Sequence, residues 1–155
     1  MTAPPVPDEL TAIRAFKRMP DGTGTSGQPS PEQLVAIAAA GYEVVINLVP
    51  PDQRLLPEEA EIVRGLGLDY VNIPVVWTAP TPENLQTFFG ELDARPGRRI
   101  FVHCAANLRA SAFLYLYRVL RRGDDPDDAE QDLLDLWTPT DWWQAFIDSA
   151  LHRVA

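Results

Sequence analysis

One cysteine, two histidines and one lysine are all that this 155-residue chain holds of those three types. A lone Cys104 cannot close an internal disulfide, which excludes a disulfide-stapled scaffold of the secreted kind. Cys104, His103 and His152 are too few soft ligands for a structural zinc site, so no metal is expected. Cations are scarce as well: 13 lysines and arginines face 22 aspartates and glutamates, a formal net charge of -9. The basic patches that hold nucleic acid or an anionic membrane are therefore missing. No apolar run approaches the roughly 18 residues of a membrane span, and the opening MTAPPVPDEL lacks the basic and apolar regions of a signal peptide. The expectation is a cytoplasmic protein with neither nucleic acid nor membrane as partner; the oligomeric state is not legible.

What is present is ordinary globular composition, with 46% hydrophobic and 23% charged residues in a length suited to one domain over residues 1–155. Residues 1–10 open on three prolines and read as a frayed arm. Ile13–Arg18 reads as an opening strand, and DGTGTSG, Asp21 to Gly27, as a turn. Ser30, Pro31 and Gln33 form a capping box with proline at the first helical position, ahead of LVAIAAA, and Gly41 stops that helix. Glu43–Leu48 is a β-branched apolar run suited to a buried strand. The pattern then repeats. A helix from Pro57 to about Leu66 precedes a strand at Tyr70–Val75. A helix capped at Thr81-Pro82 precedes a strand at Arg99–Cys104. A helix from about Arg109 to Arg122, apolar nearly all round, belongs against the sheet in the middle of the molecule. Helices starting at Asp125-Pro126 and Thr140 complete the chain, the acidic run DDPDDAEQD reading as a solvated helix start. Strands alternating with helices predict an α/β fold with a mostly parallel sheet of four to five strands and helices on both faces.

Ligands of such sheets bind at the carboxyl ends of the strands. The segment that matters is therefore HCAANLRAS, His103 to Ser111, where a buried strand runs into a helix. A cysteine there lies under a helix N-terminus whose backbone N–H groups face an anion. A free thiol is mostly protonated at neutral pH, and these amides together with Arg109 favour its anion, the nucleophilic form. Arg109 offers a planar fork that takes two oxygens of a phosphate at once.

His-Cys, a short loop, then Arg and Ser resembles the signature of the cysteine-based tyrosine and dual-specificity phosphatases. The similarity runs from about Ser26 to Ser111, and GQPSPEQLVAIAAAGYEVVINL with the later IPV resembles the bacterial phosphatase-like branch. The resemblance implies a phosphatase-like fold and hydrolysis of phosphomonoesters without metal or organic cofactor, on a phosphorylated protein or a small phosphorylated molecule. It implies Cys104 as nucleophile forming a phosphocysteine, and Arg109 as phosphate clamp. It also implies His103 as a residue that orders the loop, Ser111 as a supporting hydrogen bond to Cys104, and the loop Ala105, Ala106, Asn107, Leu108 as the phosphate cradle.

Two departures from that signature stand out. Four residues rather than five separate Cys104 from Arg109, although Ser111 keeps the family's spacing. Either one loop residue is deleted or the arginine is displaced within a loop of ordinary length. The shorter loop is similar to that of rhodaneses, sulfurtransferases that carry a persulfide on the same cysteine. Asn107 stands where the pattern prefers glycine, a mild change because asparagine tolerates positive φ; Asn107→Gly is expected to be tolerated and Asn107→Val is not. The second departure is the general acid. The window that carries an aspartate in the family is VVWTAPT, Val75 to Thr81, which has no carboxylate. Glu83 and Asp52 are the substitutes, Trp77 is a candidate lining for the pocket mouth, and Trp142, Trp143 and Phe146 read as core or cover. A phosphate-binding pseudophosphatase is the alternative that this gap favours.

Overall fold

Two of the helix starts read from sequence are built as expected, and they set the frame. In the computed structural model, which describes residues 5–153, Ser30 accepts from the Gln33 amide at 3.1 Å while the Gln33 side chain accepts from the Ser30 amide at 2.9 Å. Thr81 and Asn84 form the same reciprocal cap, at 3.0 and 3.2 Å. Each pair satisfies amides that the first helical turn leaves without partners.

The elements in chain order are α1 Asp8–Thr11, β1 Lys17–Arg18, β2 Gly24–Ser26, α2 Pro31–Ala39, β3 Val44–Asn47, α3 Glu59–Gly65, β4 Asp69–Asn72, α4 Pro82–Asp93, β5 Ile100–His103, α5 Leu108–Tyr117, α6 Pro126–Leu134 and α7 Asp141–Arg153. A 3-10 turn at Pro51–Gln53 follows β3, and a π-helical turn at Arg118–Arg122 extends α5. The five strands lie in the order β1-β2-β5-β3-β4, all parallel except the antiparallel β1–β2 pair. This is the mostly parallel α/β sheet that the alternation predicts.

Three expectations need correction. Part of the frayed arm lies outside the described residues, but Asp8–Thr11 is a helical turn with Leu10 buried. The opening strand shrinks to Lys17–Arg18. DGTGTSG is not all turn: Gly24–Ser26 is a fully buried strand paired with β5. Its small polar residues hide it, and packing explains it. A Cβ on Gly24 would fall 2.6 Å from the Phe101 ring, so the glycine makes room for that ring on the adjacent strand.

Alternation along β5 divides the core. Phe101 belongs with Leu34, Ile37, Val45 and Val63 on the side of α1, α2 and α3. Val102 and Cys104 belong with Phe88, Phe113, Leu116 and Trp143 on the side of α4 to α7. Helix α5 buries eight of its residues, from Arg109 to Leu116, as its all-round apolar sequence requires. Among the described residues no helix is long and apolar enough to cross a membrane.

Candidate active site

Because neighbouring residues of a strand point to opposite faces, His103 and Cys104 leave β5 in opposite directions. Cys104 is 1% exposed on the α5 side. His103, fully buried, turns toward α3. Its Nε2 lies 2.5 Å from Glu59 Oε2 and its Nδ1 lies 3.2 Å from the Cys104 carbonyl. Both ring nitrogens face oxygen atoms, so the imidazole is held at both ends. Glu59 is itself 1% exposed, and its second oxygen accepts from Gln28 Nε2 at 2.7 Å. Buried and fully hydrogen-bonded, the chain Gln28–Glu59–His103 ends on the backbone of the cysteine and fixes it.

The loop after Cys104 is held from below by the end of β2. Gln28 donates its amide to the Ala105 carbonyl at 3.0 Å, and a Cβ on Gly27 would meet that same oxygen at 2.6 Å. Asn107 has φ 63 and ψ 24, the left-handed conformation that suits its place in the motif, and it directly precedes α5. Its buried side chain does more than tolerate the angle. Oδ1 accepts from the Thr25 hydroxyl at 2.8 Å and Nδ2 donates to the Ala15 carbonyl at 2.8 Å. Glycine at this position would supply the φ but neither hydrogen bond. Among the described residues the amides of Ala105, Ala106, Leu108 and Arg109 have no protein acceptor, so the loop after Cys104 leaves donors free for an anion.

Arg109 is the second residue of α5 and 7% exposed; its Nη1 donates to the Val75 carbonyl at 2.8 Å. Ala110 beside it is fully buried in the core, so an arginine one position later would point into apolar packing. No carboxylate pairs with Arg109 among the described residues. The Ser111 hydroxyl reaches the Asn107 carbonyl at 2.6 Å and the Leu108 carbonyl at 3.1 Å, and it accepts from Trp137 Nε1 at 2.9 Å. This corrects the expected bond to Cys104: a serine in the first helical turns bonds back to a carbonyl of the preceding turn.

The two candidate acids are not brought to the cysteine by any recorded contact. Asp52 is exposed on the turn after β3, and Glu83 is exposed in the first turn of α4. Between them, Val75–Thr81 is clamped rather than loose. The Trp77 carbonyl accepts from Trp143 Nε1 at 2.8 Å and Trp142 Nε1 at 3.2 Å, and its ring lies 5.4 Å from Trp143 and 5.7 Å from Trp137. Trp143 is fully buried while Trp142 is about half exposed, so the pair is core and cover respectively. No group of three or more His, Cys, Asp or Glu side chains is placed to hold a metal ion among the described residues. Glu59, Gln28 and Thr25 are absent from the sequence reading. Each lies far along the chain from His103 or Asn107, and no local motif marks them.

Residues 23–138 match the family described as "DSP-PTPase phosphatase fused to NAD+ Kinase". The chain belongs to that family. Solved structures similar to this DSP-PTPase chain include a protein of Shewanella putrefaciens CN-32 described as "Putative phosphatase (DUF442)". That structure is 36% identical with a TM-score of 0.85, over 96% of this chain and 98% of that one. Tk-PTP in its active form shares the fold at 20% identity and a TM-score of 0.72, over 85% of this chain and 92% of that one. A "Beta-lactamase hydrolase-like protein" of Xylella fastidiosa is 31% identical over 109 residues, 68% of this chain. The chain spans about a quarter of the length of that relative, at 25%. The fold and family are those of the cysteine-based tyrosine and dual-specificity phosphatases of bacterial type.

Proposed function

We propose that the protein hydrolyses phosphomonoesters through a phosphocysteine at Cys104. The observation that carries this reading is the buried, carboxylate-free Arg109 at the start of the helix that follows Cys104, beside loop amides that have no protein acceptor among the described residues. Fork and amides together hold the three equatorial oxygens of a transferring phosphoryl group. The Cys104 thiolate attacks phosphorus, the bond from phosphorus to the ester oxygen breaks, and that oxygen leaves as its anion, which takes a proton from solvent water. Water then attacks phosphorus, the bond to sulfur breaks, and inorganic phosphate departs as the thiolate is restored. In this scheme Glu59 and Gln28 act on the reaction through His103, as positioning residues. A phosphorylated protein and a small phosphorylated molecule both suit the site.

The leaving oxygen lacks an evident proton donor, because Val75–Thr81 carries no carboxylate. Losing a general acid costs about 10²–10⁴-fold. Turnover is therefore expected to fall steeply as the leaving group becomes more basic: measurable on nitrophenyl phosphate, weak on phosphotyrosine and nearly absent on phosphoserine. A series of aryl and alkyl phosphates at fixed pH, with Cys104→Ser, Glu83→Gln and Asp52→Asn alongside, tests this. A flat series made steep by one carboxylate substitution would identify that residue as the acid. The clamped, acid-free segment also favours a second reading, a phosphate-binding protein without turnover. Phosphate bound tightly, with no hydrolysis of even the best leaving group, would establish it.

A further inference from the structure

Among the described residues one buried side-chain nitrogen or oxygen has no hydrogen-bond partner: Arg54 Nε. Arg54 follows the 3-10 turn that leaves β3, at the carboxyl edge of the sheet. It takes part in none of the ion pairs of the described residues. Its one recorded contact is long, from Nη2 to Asn72 Oδ1 at 3.5 Å. Arg54 is half-buried, and its buried Nε loses hydration without recovering it from the protein, an arrangement that a bound anion corrects.

The surrounding polar groups cannot supply that correction, since they are already committed. Asn47 Oδ1 accepts from the Val49 amide at 2.9 Å, and Asn47 Nδ2 donates to the Tyr70 hydroxyl at 3.2 Å. Asn72 Nδ2 donates to the carbonyls of Asn47 and Val49, each at 2.8 Å. Glu59 is held by His103 and Gln28. The Tyr70 hydroxyl, by contrast, accepts from Asn47 and has no recorded acceptor for its own proton. Burial raises Tyr70, so that proton stays in place at neutral pH. The Arg64 guanidinium lies over the Tyr70 ring, 5.7 Å from its centre, and adds positive potential.

Register places this shelf two strands from β5, at the same carboxyl edge of the sheet from which the cysteine loop leaves. Asn72 is opposite Asn47, and Asn47 is opposite His103. With neighbouring strands about 4.8 Å apart, Asn72 stands about 10 Å from the residue that precedes Cys104. We propose that Arg54 and Tyr70 form a second anion subsite. Resting on the phosphatase reading above, it selects phosphomonoesters that carry another anionic group, carboxylate or phosphate.

The test uses two aryl phosphates matched in leaving group, 3-(4-phosphonooxyphenyl)propanoate and its carboxamide. Isothermal titration into the Cys104→Ser protein reads their binding without turnover. The carboxylate is expected to bind about five- to tenfold tighter than the amide, the scale of one charge-assisted contact. Arg54→Gln, made in the same background, is expected to erase that preference and leave amide binding unchanged. Tyr70→Phe, which keeps the ring, is expected to reduce the preference and provides a second readout if Arg54→Gln fails to fold. Equal affinity for the two esters, a preference untouched by Arg54→Gln or by Tyr70→Phe, or failure of both esters to bind would overturn the subsite. Hydrolysis of the amide by the unsubstituted protein reads the phosphatase proposal separately. A preserved binding preference with no hydrolysis would refute turnover and uphold the subsite.

Discussion

Two buried arginines stand at opposite ends of one helical stretch, and they are treated in opposite ways. Arg118 is 5% exposed and donates to Asp124 Oδ2 at 2.9 Å and Asp132 Oδ2 at 2.5 Å; Lys17 joins Asp132 at 3.3 Å. Arg109, at 7%, meets only the neutral carbonyl of Val75. Removing a guanidinium from water is costly unless carboxylates compensate it. At Arg118 the chain supplies that compensation itself, closing a structural cluster that ties β1, α6 and the turn after α5 together. At Arg109 it does not, and the charge stays available to a ligand. Burial alone does not distinguish a structural arginine from an anion receptor; the sign of its neighbours does.

Exchanging each arginine for a partial mimic should separate the two roles. Arg109→Lys keeps the charge but loses the fork, and kcat/KM on nitrophenyl phosphate is expected to fall about 10²–10³-fold with little change in stability. Retained activity in steady-state assays would place Arg109 outside the site. Arg118→Met should show the reverse, losing about 2–3 kcal/mol in urea unfolding while kcat stays within about twofold, because Asp124 and Asp132 lose their buried partner and keep only Arg122 and Lys17 at the edge of the cluster. Asn107→Gly probes the support of the Arg109 end. It is expected to cost about 1–2 kcal/mol in urea unfolding by stranding the Thr25 hydroxyl and the Ala15 carbonyl. Asn107→Val, which adds a β-branch at positive φ, should cost more. Equal stability of wild type and Asn107→Gly would mean that those two bonds contribute nothing.

The smallest effect concerns acid. Burial alone would raise the Asp124 carboxyl, but its bond to Arg118 and the charges of Arg122 and Arg118 outweigh that and hold it below the usual range. A folded-state value below the unfolded one stabilises fully above about pH 4 and is lost as pH falls through the folded value. Urea midpoints measured from pH 6 down to pH 3 should therefore drop less in Asp124→Asn than in wild type. Parallel curves would remove Asp124 from the cluster.

Much of this was legible in the residues. Ser30-Pro31-Glu32-Gln33 and Thr81-Pro82 mark helix starts because their caps are local, each satisfied within three residues. The strand–turn–helix at His103 to Ser111 is legible for the same reason. What escaped depends on distant partners. Gly24–Ser26 reads as a turn until Phe101 lies against it, and Glu59 reads as one more acid at a helix start until the fold brings it to His103. Ser111 has the spacing expected of a partner for Cys104, but its hydroxyl is taken by the preceding helical turn and by Trp137, a residue from beyond α6. The missing acid in Val75–Thr81 was visible in the sequence. That Trp142 and Trp143 pin the same segment was not.

That pinning turns the molecule into its own optical instrument. Trp77, Trp137, Trp142 and Trp143 are the chain's four tryptophans, and all four join one cluster, with Trp77 between 5.4 and 6.2 Å from each of the others. Ultraviolet emission from this protein therefore comes from a single neighbourhood. That neighbourhood hangs from the same stretch of backbone whose Val75 carbonyl receives Arg109. An anion that draws the guanidinium away from Val75 is expected to loosen the segment beneath the indoles, which a titration with inorganic phosphate would read as a change in emission. Intensity and wavelength then follow occupancy with no dye, label or added reporter.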